Sequence, residues 1–148
     1  MRRERGKILK FLLDTNVILE AIKPECDQGV KSFLETARWE DMYLSSVTLG
    51  EISYGIEKLS DSKKKRELSI WFYAKIPGWF EKRIIAGDAE ILMECGRLRA
   101  RTKRTLPAID SLIAATAICH NMLLVTRNTK DFDDIEGINL LNPWELIT

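Results

Sequence analysis

Phe11-Leu12-Leu13-Asp14-Thr15-Asn16 is a short apolar run that ends abruptly on a carboxylate. It reads as the close of a buried strand, Ile8–Leu13, with Asp14 at its carboxyl end. Taken alone, Asp14 is a strand terminator and a cap for the helix that follows, because an Asp side chain accepts from the free N–H groups of a first turn. Its meaning depends on what the rest of the chain brings to the same place.

Outward from that point, apolar spacing alternates between strand and helix. Val17–Ile22 suggests a short helix halted at Pro24, and Val30, Phe33, Leu34 and Ala37 lay an apolar stripe along a second, Asp27–Arg38. Met42–Ser45 reads as a strand, followed by helical spacing at Leu49, Ile52, Ile56 and Leu59 with Ser45 or Ser46 as cap. Ser60–Lys75 predicts a helix anchored by Leu68, Trp71 and Phe72, broken at Pro77-Gly78. Trp71, Phe72, Trp79 and Phe80 are expected in the core or a subunit interface. Arg83–Ala86 is a candidate edge strand. Asp88 should cap a helix running to about Lys103, with Leu92, Cys95 and Leu98 facing inward and Arg97, Arg101 and Arg104 sharing another face. Pro107 suits the first turn of an Ala-rich helix that ends near His120. Met122–Thr126 is a clear strand, Lys130–Asp134 a single helical turn, and Ile138–Leu141 a last strand. The alternation predicts one α/β domain over residues 1–148, its core about 8–143, with helices on both faces of a mainly parallel sheet of four or five strands.

A chain of 148 residues buries a core without metal or disulfide, and 45% hydrophobic with 30% charged residues is ordinary globular composition. No apolar stretch approaches a membrane span, and no apolar signal core precedes the first strand, so a cytoplasmic location with no membrane contact is expected. Cys26, Cys95 and Cys119 show no CxxC spacing, and with His120 the only histidine they form neither a disulfide framework nor a zinc site. Cys95 and Cys119 are expected as small buried hydrophobes. A net charge of +1 conceals segregation: Arg97 to Arg104 holds five cations and no acid.

In a right-handed β-α-β layout, strand carboxyl ends and helix N-termini share one edge of the sheet, where ligands bind. Asp14, Glu51, Asp110, Asn128 and Asp131 all map to that edge. Singly, each has a structural reading: Asp110 complements a helix dipole, Asn128 with Asp131 resembles a capping pair, and Glu51 is a charge on an amphipathic helix. Together they would repel without a cation. A carboxylate cluster without His or Cys is hard-oxygen chemistry, suited to Mg²⁺ or Mn²⁺, and beside a basic face it points to a phosphodiester substrate.

Leu12-Leu13-Asp14-Thr15-Asn16-Val17-Ile18 and Ser45-Ser46-Val47-Thr48-Leu49-Gly50-Glu51-Ile52-Ser53-Tyr54-Gly55 resemble the opening motifs of PIN-domain ribonucleases. Asp110-Ser111-Leu112-Ile113-Ala114-Ala115-Thr116-Ala117 and Val125-Thr126-Arg127-Asn128-Thr129-Lys130-Asp131-Phe132 complete the set in order. The similarity spans about Leu9 to Pro143 and is strongest to the VapC/FitB-like toxins of type II toxin–antitoxin pairs. It implies a three-layer α/β/α PIN-like domain and a Mg²⁺-dependent endoribonuclease acting on single-stranded RNA. It also implies a homodimer inhibited by a small antitoxin that binds operator DNA, within a larger toxin–antitoxin assembly. On this resemblance Asp14, Glu51, Asp110 and Asp131 are the catalytic and metal-binding acids. Thr15 and Asn16 orient Asp14, and Asn128, standing where some relatives carry an acid, orients water. Arg97, Arg101, Arg104 and Arg127 are candidates for RNA phosphate, with an Arg127–Asp131 ion pair as the alternative.

Rival readings are weaker. An aspartyl phosphatase would want an acid at position 16, where Asn16 stands, and a receiver domain would want paired acids near the first strand's end. A nuclease of RNA processing without an antitoxin, or a degenerate module of the same fold, remain as alternatives.

Overall fold

The computed structural model describes residues 9–146. Five strands form one sheet: β1 Phe11–Leu13, β2 Met42–Ser45, β3 Ile84–Ile85, β4 Leu123–Val125 and β5 Asn139–Leu141. Their order is β3-β2-β1-β4-β5, and every pairing is parallel. β1 is central, and Ile8, expected as its first residue, lies outside the described residues. Seven α-helices connect the strands: α1 Thr15–Ala21, α2 Gln28–Thr36, α3 Ser46–Glu57, α4 Lys63–Ser69, α5 Ile76–Phe80, α6 Ala89–Arg101 and α7 Ala108–Cys119.

Side chains of a strand alternate between faces, so three residues of β1 divide the interior. Phe11 and Leu13 face a cluster with Val17, Phe33, Ile52, Phe72 and Phe80. Leu12 faces the opposite cluster, with Ile91, Leu98, Ile113 and Phe132. All three are at most 1% exposed, which is why β1 reads as a continuous apolar run rather than an alternating one. Layers of α1–α5 and of α6–α7 therefore flank a wholly parallel five-stranded sheet, as the expected α/β/α arrangement requires. Asp14, Asp27, Ser45, Ser62 and Asp88 each cap the following helix with a side-chain oxygen.

The helical run that Pro77-Gly78 was expected to break continues past it. Between α4 and α5 the chain widens into a π-turn over Ile70–Lys75, closed by the Ile76 N–H donating to the Trp71 carbonyl. Pro77 stands in the first turn of α5, where a missing N–H is tolerated. The run ends at Glu81, whose φ of 44° no helix continues. Three further expectations change. Leu92 is 55% exposed and Ile91 takes the inward place. α6 stops at Arg101, so Arg104 lies in the following loop and not on the helix face. Cys119 is only half-buried, whereas Cys95 is buried; of the aromatic residues Phe72 and Phe80 lie in the core, while Trp79 is exposed on this chain, which leaves for it the interface half of the expectation.

The turn Pro143–Glu145 packs on α2 directly over Gly29. A Cβ at Gly29 would collide with the Pro143 carbonyl, a backbone atom that cannot swing aside. Gly29→Ala is therefore expected to lower stability by about 1–3 kcal/mol, read as a reduced denaturant midpoint with unchanged slope.

Candidate active site

The Asp14 N–H donates to the Val125 carbonyl at 2.9 Å, so the end of β1 is still bonded to β4 where its side chain emerges. That side chain is 8% exposed. Oδ1 accepts from the Thr15 N–H at 2.8 Å, the expected cap, and Oδ2 accepts from the Thr126 hydroxyl at 2.8 Å. Thr126 is fully buried, and its Oγ1 also accepts from the Asn128 N–H at 3.1 Å and Asn16 Nδ2 at 3.3 Å. Asn16 completes the ring: its Oδ1 accepts from the Arg127 N–H at 3.1 Å and its Nδ2 lies 3.5 Å from Asp14 Oδ2.

Thr15 divides its groups between two acids. Its N–H serves Asp14, while its hydroxyl donates to Glu51 Oε1 at 3.0 Å. The hydroxyl thus orients Glu51, where the sequence suggested Asp14. Glu51 projects from the second turn of α3 and Asp110 from the first turn of α7, both half-buried. Asp131 ends the single 3-10 turn Thr129–Asp131 and is exposed, as is Asn128, which precedes it without a side-chain capping bond.

Burial holds Asp14 above the usual carboxylate range, against hydrogen bonds from Thr126 and Thr15, and the charge of Asp131 adds to the rise. Burial raises Glu51 too, opposed by the Thr15 hydroxyl and reinforced by Asp14 and Asp110. Asp110 is raised by burial, then by Asp131 and Asp14, with Arg104 opposing. The four acids thus act on one another electrostatically, as the edge argument required. Yet among the described residues no three Asp, Glu, His or Cys side chains converge on a point that would hold an ion. The donor chemistry fits a hard divalent cation; the side chains stand spread.

The arginines are less free than their spacing suggests. Arg97 and Arg101 both bind Glu94, at 2.9 and 3.1 Å. Burial would raise Glu94, but hydrogen bonds from Arg101 and Arg97 hold it below the usual range. Arg104 grips both oxygens of Asp134 at 2.7 and 2.9 Å and donates to the Asp131 carbonyl at 2.6 Å, tying the loop after α6 to the turn that carries Asp131. The Arg127 guanidinium lies over the Trp144 ring, 5.2 Å from its centre, and makes no ion pair with Asp131. Thr126 is the residue that sequence reading left without a role. Its signal was its place: the residue after β4, beside the end of a parallel neighbour that ends in Asp.

The PIN domain family model matches residues 11–138. Toxin FitB of Neisseria gonorrhoeae is 34% identical over 90% of this chain and 98% of its own length. The tRNA(fMet)-specific endonuclease VapC of Shigella flexneri is 30% identical over 88% of this chain and 96% of its own. A crystal structure of FitAcB from Neisseria gonorrhoeae superposes with a TM-score of 0.85 at 34% identity, covering 92% of this chain and 99% of that one.

Thr126→Val is expected to leave the buried Asp14 Oδ2 without its hydroxyl donor and the N–H groups of Asn128 and Asn16 without their shared acceptor, at a cost of about 1–3 kcal/mol by urea unfolding. Asp110→Asn should do the reverse in chelator. A carboxyl whose folded pKa is raised favours the native state while protonated and loses that contribution as pH climbs from the unfolded value of 3.8 through the raised one. The melting temperature of Asp110→Asn should therefore gain on wild type as pH rises from the acid side of that window to neutrality, in parallel melts.

Proposed function

The chain belongs to the PIN-domain family, and from that premise we propose that it is a metal-dependent endoribonuclease hydrolysing phosphodiester bonds of single-stranded RNA, and the toxin of a toxin–antitoxin pair. The observation that carries this reading is the trio Asp14, Glu51 and Asp110: three acids from three separate elements, raised by burial and by one another, on the ligand-binding edge of a parallel sheet. Crowding like charges is costly, and the carboxylates make a donor set for a hard cation without the help of His or Cys.

Asp14, Glu51 and Asp110, which stand spread, would turn toward one another to hold Mg²⁺ or Mn²⁺, with Asp131 as a further ligand or the acceptor for its water. Bound there, the ion supplies a water acidified for attack on phosphorus and positive charge for the leaving oxygen. The protein's own part is positional. Thr126 and Asn16 fix the Asp14 carboxylate and Thr15 fixes Glu51. Asn128, exposed beside Asp131, presents a neutral amide that can orient water without adding charge. In the hydrolysis, a water oxygen bonds to phosphorus, the phosphorus–oxygen bond of the leaving nucleotide breaks, and that oxygen departs as a hydroxyl after taking a proton.

RNA is favoured because relatives over most of the chain are named ribonucleases and a tRNA-specific endonuclease. The same relatives support the partner: FitB is named a toxin, and solved neighbours include FitAB bound to a DNA fragment and a DNA-bound VapBC from Salmonella typhimurium. From them we take a DNA-binding partner as the antitoxin, and propose that it is small, that its DNA is the operator and that it acts on a homodimer of this chain. No helix among the described residues is long and apolar enough to cross a membrane.

Asp14→Asn should cut single-stranded RNA at least 10²-fold more slowly than wild type while its fold is retained, and chelation should silence the wild type until Mg²⁺ or Mn²⁺ is restored. Full cleavage by the variant, or in chelator, would refute the assignment. The cation should also raise the wild-type melting temperature, and by less as pH falls into the raised carboxyl range, where protons compete for the ligands.

A further inference from the structure

Arg97, Arg99, Arg101, Lys103 and Arg104 are close in sequence, but the fold puts them to different uses. Arg97 and Arg101 close on Glu94, and Arg104 on Asp134. Arg99 and Lys103 form no ion pair and no side-chain hydrogen bond within the described residues, and both are exposed. With Gly96, Ala100 and Arg104 they line a hollow of about 400 Å³ at the C-terminal end of α6, and no carboxylate contributes to its wall.

Cations in a last turn complement the negative end of the helix, which suffices for basic residues there. It does not account for a concave, acid-free site one of whose walls is shared with the acidic edge. That wall is Arg104, which lines the hollow and donates to the carbonyl of Asp131. A polyanion crossing four carboxylates needs compensating charge, and Arg99 and Lys103, set next to Arg104, are cations that no acid already balances.

We propose that this hollow receives a backbone phosphate of the RNA strand, away from the scissile bond, with Arg99 and Lys103 as its ligands. The proposal rests on the ribonuclease reading and names where the strand runs as it leaves the acids. Arg99 offers a fork that matches two phosphate oxygens, and Lys103 a mobile point charge. Both contacts are with backbone, so they position the strand and leave sequence choice to other residues. Arg97 and Arg101, on the same helix, serve to hold Glu94.

Binding of a short fluorescein-labelled single-stranded RNA, followed by anisotropy in chelator across a salt series, tests this without cleavage. Arg99→Ala/Lys103→Ala should weaken binding roughly tenfold near 0.1 M salt and flatten the log–log salt dependence by about 0.7, the value for one lost single-strand phosphate. Arg97→Ala/Arg101→Ala, read beside it, should lose clearly less. With metal restored, the first pair should raise KM and leave kcat near wild type. An unchanged salt slope, or an equal loss in both pairs, would overturn the proposal, provided melting curves show both variants folded. The two readings fail separately: a wild type that cuts no RNA but binds it through Arg99 and Lys103 refutes the nuclease and keeps the hollow. One that cuts RNA with the salt slope of the double variant keeps the nuclease and refutes the hollow.

Discussion

A carboxylate placed at the end of the central strand of a buried sheet has nowhere to go but the seam between its neighbours. Asp14 is held there by the backbone bond from its N–H to Val125 and by the Thr126 hydroxyl on its side chain. One strand further along and the carboxylate would cap a helix in solvent at little cost. At the centre it is stripped of water, its pKa rises, and every nearby polar group must arrange itself about it. Thr15 and Asn16 do so directly, Asn128 through the Thr126 hydroxyl, and the Arg127 backbone through the Asn16 amide.

Much of this was legible in the residues because its physics is local. Strand carboxyl ends and helix N-termini fall where apolar runs stop and capping residues begin, and a parallel α/β sheet assigns both to one edge. Ser45 and Asp88 cap as read, and Asp14 caps as well as serving the site. Local reasoning fails where a contact joins distant parts of the chain. That Thr15 should give its hydroxyl to Glu51, 36 residues away, depends on how α1 lies against α3, which no spacing encodes. The π-turn was hidden for another reason. Phe72, Ile76 and Phe80 are buried at every fourth position across it, a spacing an ordinary helix also gives, so Pro77 reads as a breaker although the wider turn has already accommodated it.

Charge shows the same division. A count of cations along α6 overstates what is free, since Glu94 at the helix surface absorbs two of them and is itself only 12% exposed in its side chain. The i,i+3 relation of Glu94 to Arg97 is visible in the sequence; the second claim by Arg101 is visible only in space. Among what stays unbalanced are a few acids on one edge and, next to Arg104, which reaches the turn of Asp131, the cations Arg99 and Lys103. Such a pairing of opposite fields over a short distance suits a substrate that is charged along its whole length, because each unit experiences both repulsion and rescue as it passes.

The bond from Thr126 to Asp14 spans 112 residues, and the strand that brings Thr126 into place is the fourth of five. A chain emerging from the ribosome exposes Asp14 early and Thr126 very late, so through most of synthesis the acid is a solvated side chain at the end of an unpaired strand. Closing so long a loop has to precede the contacts that reward it, which makes assembly of the edge a late and slow event in folding. The site is in this sense timed by the topology: the residues of the acidic edge come into register only after the fourth strand has been made.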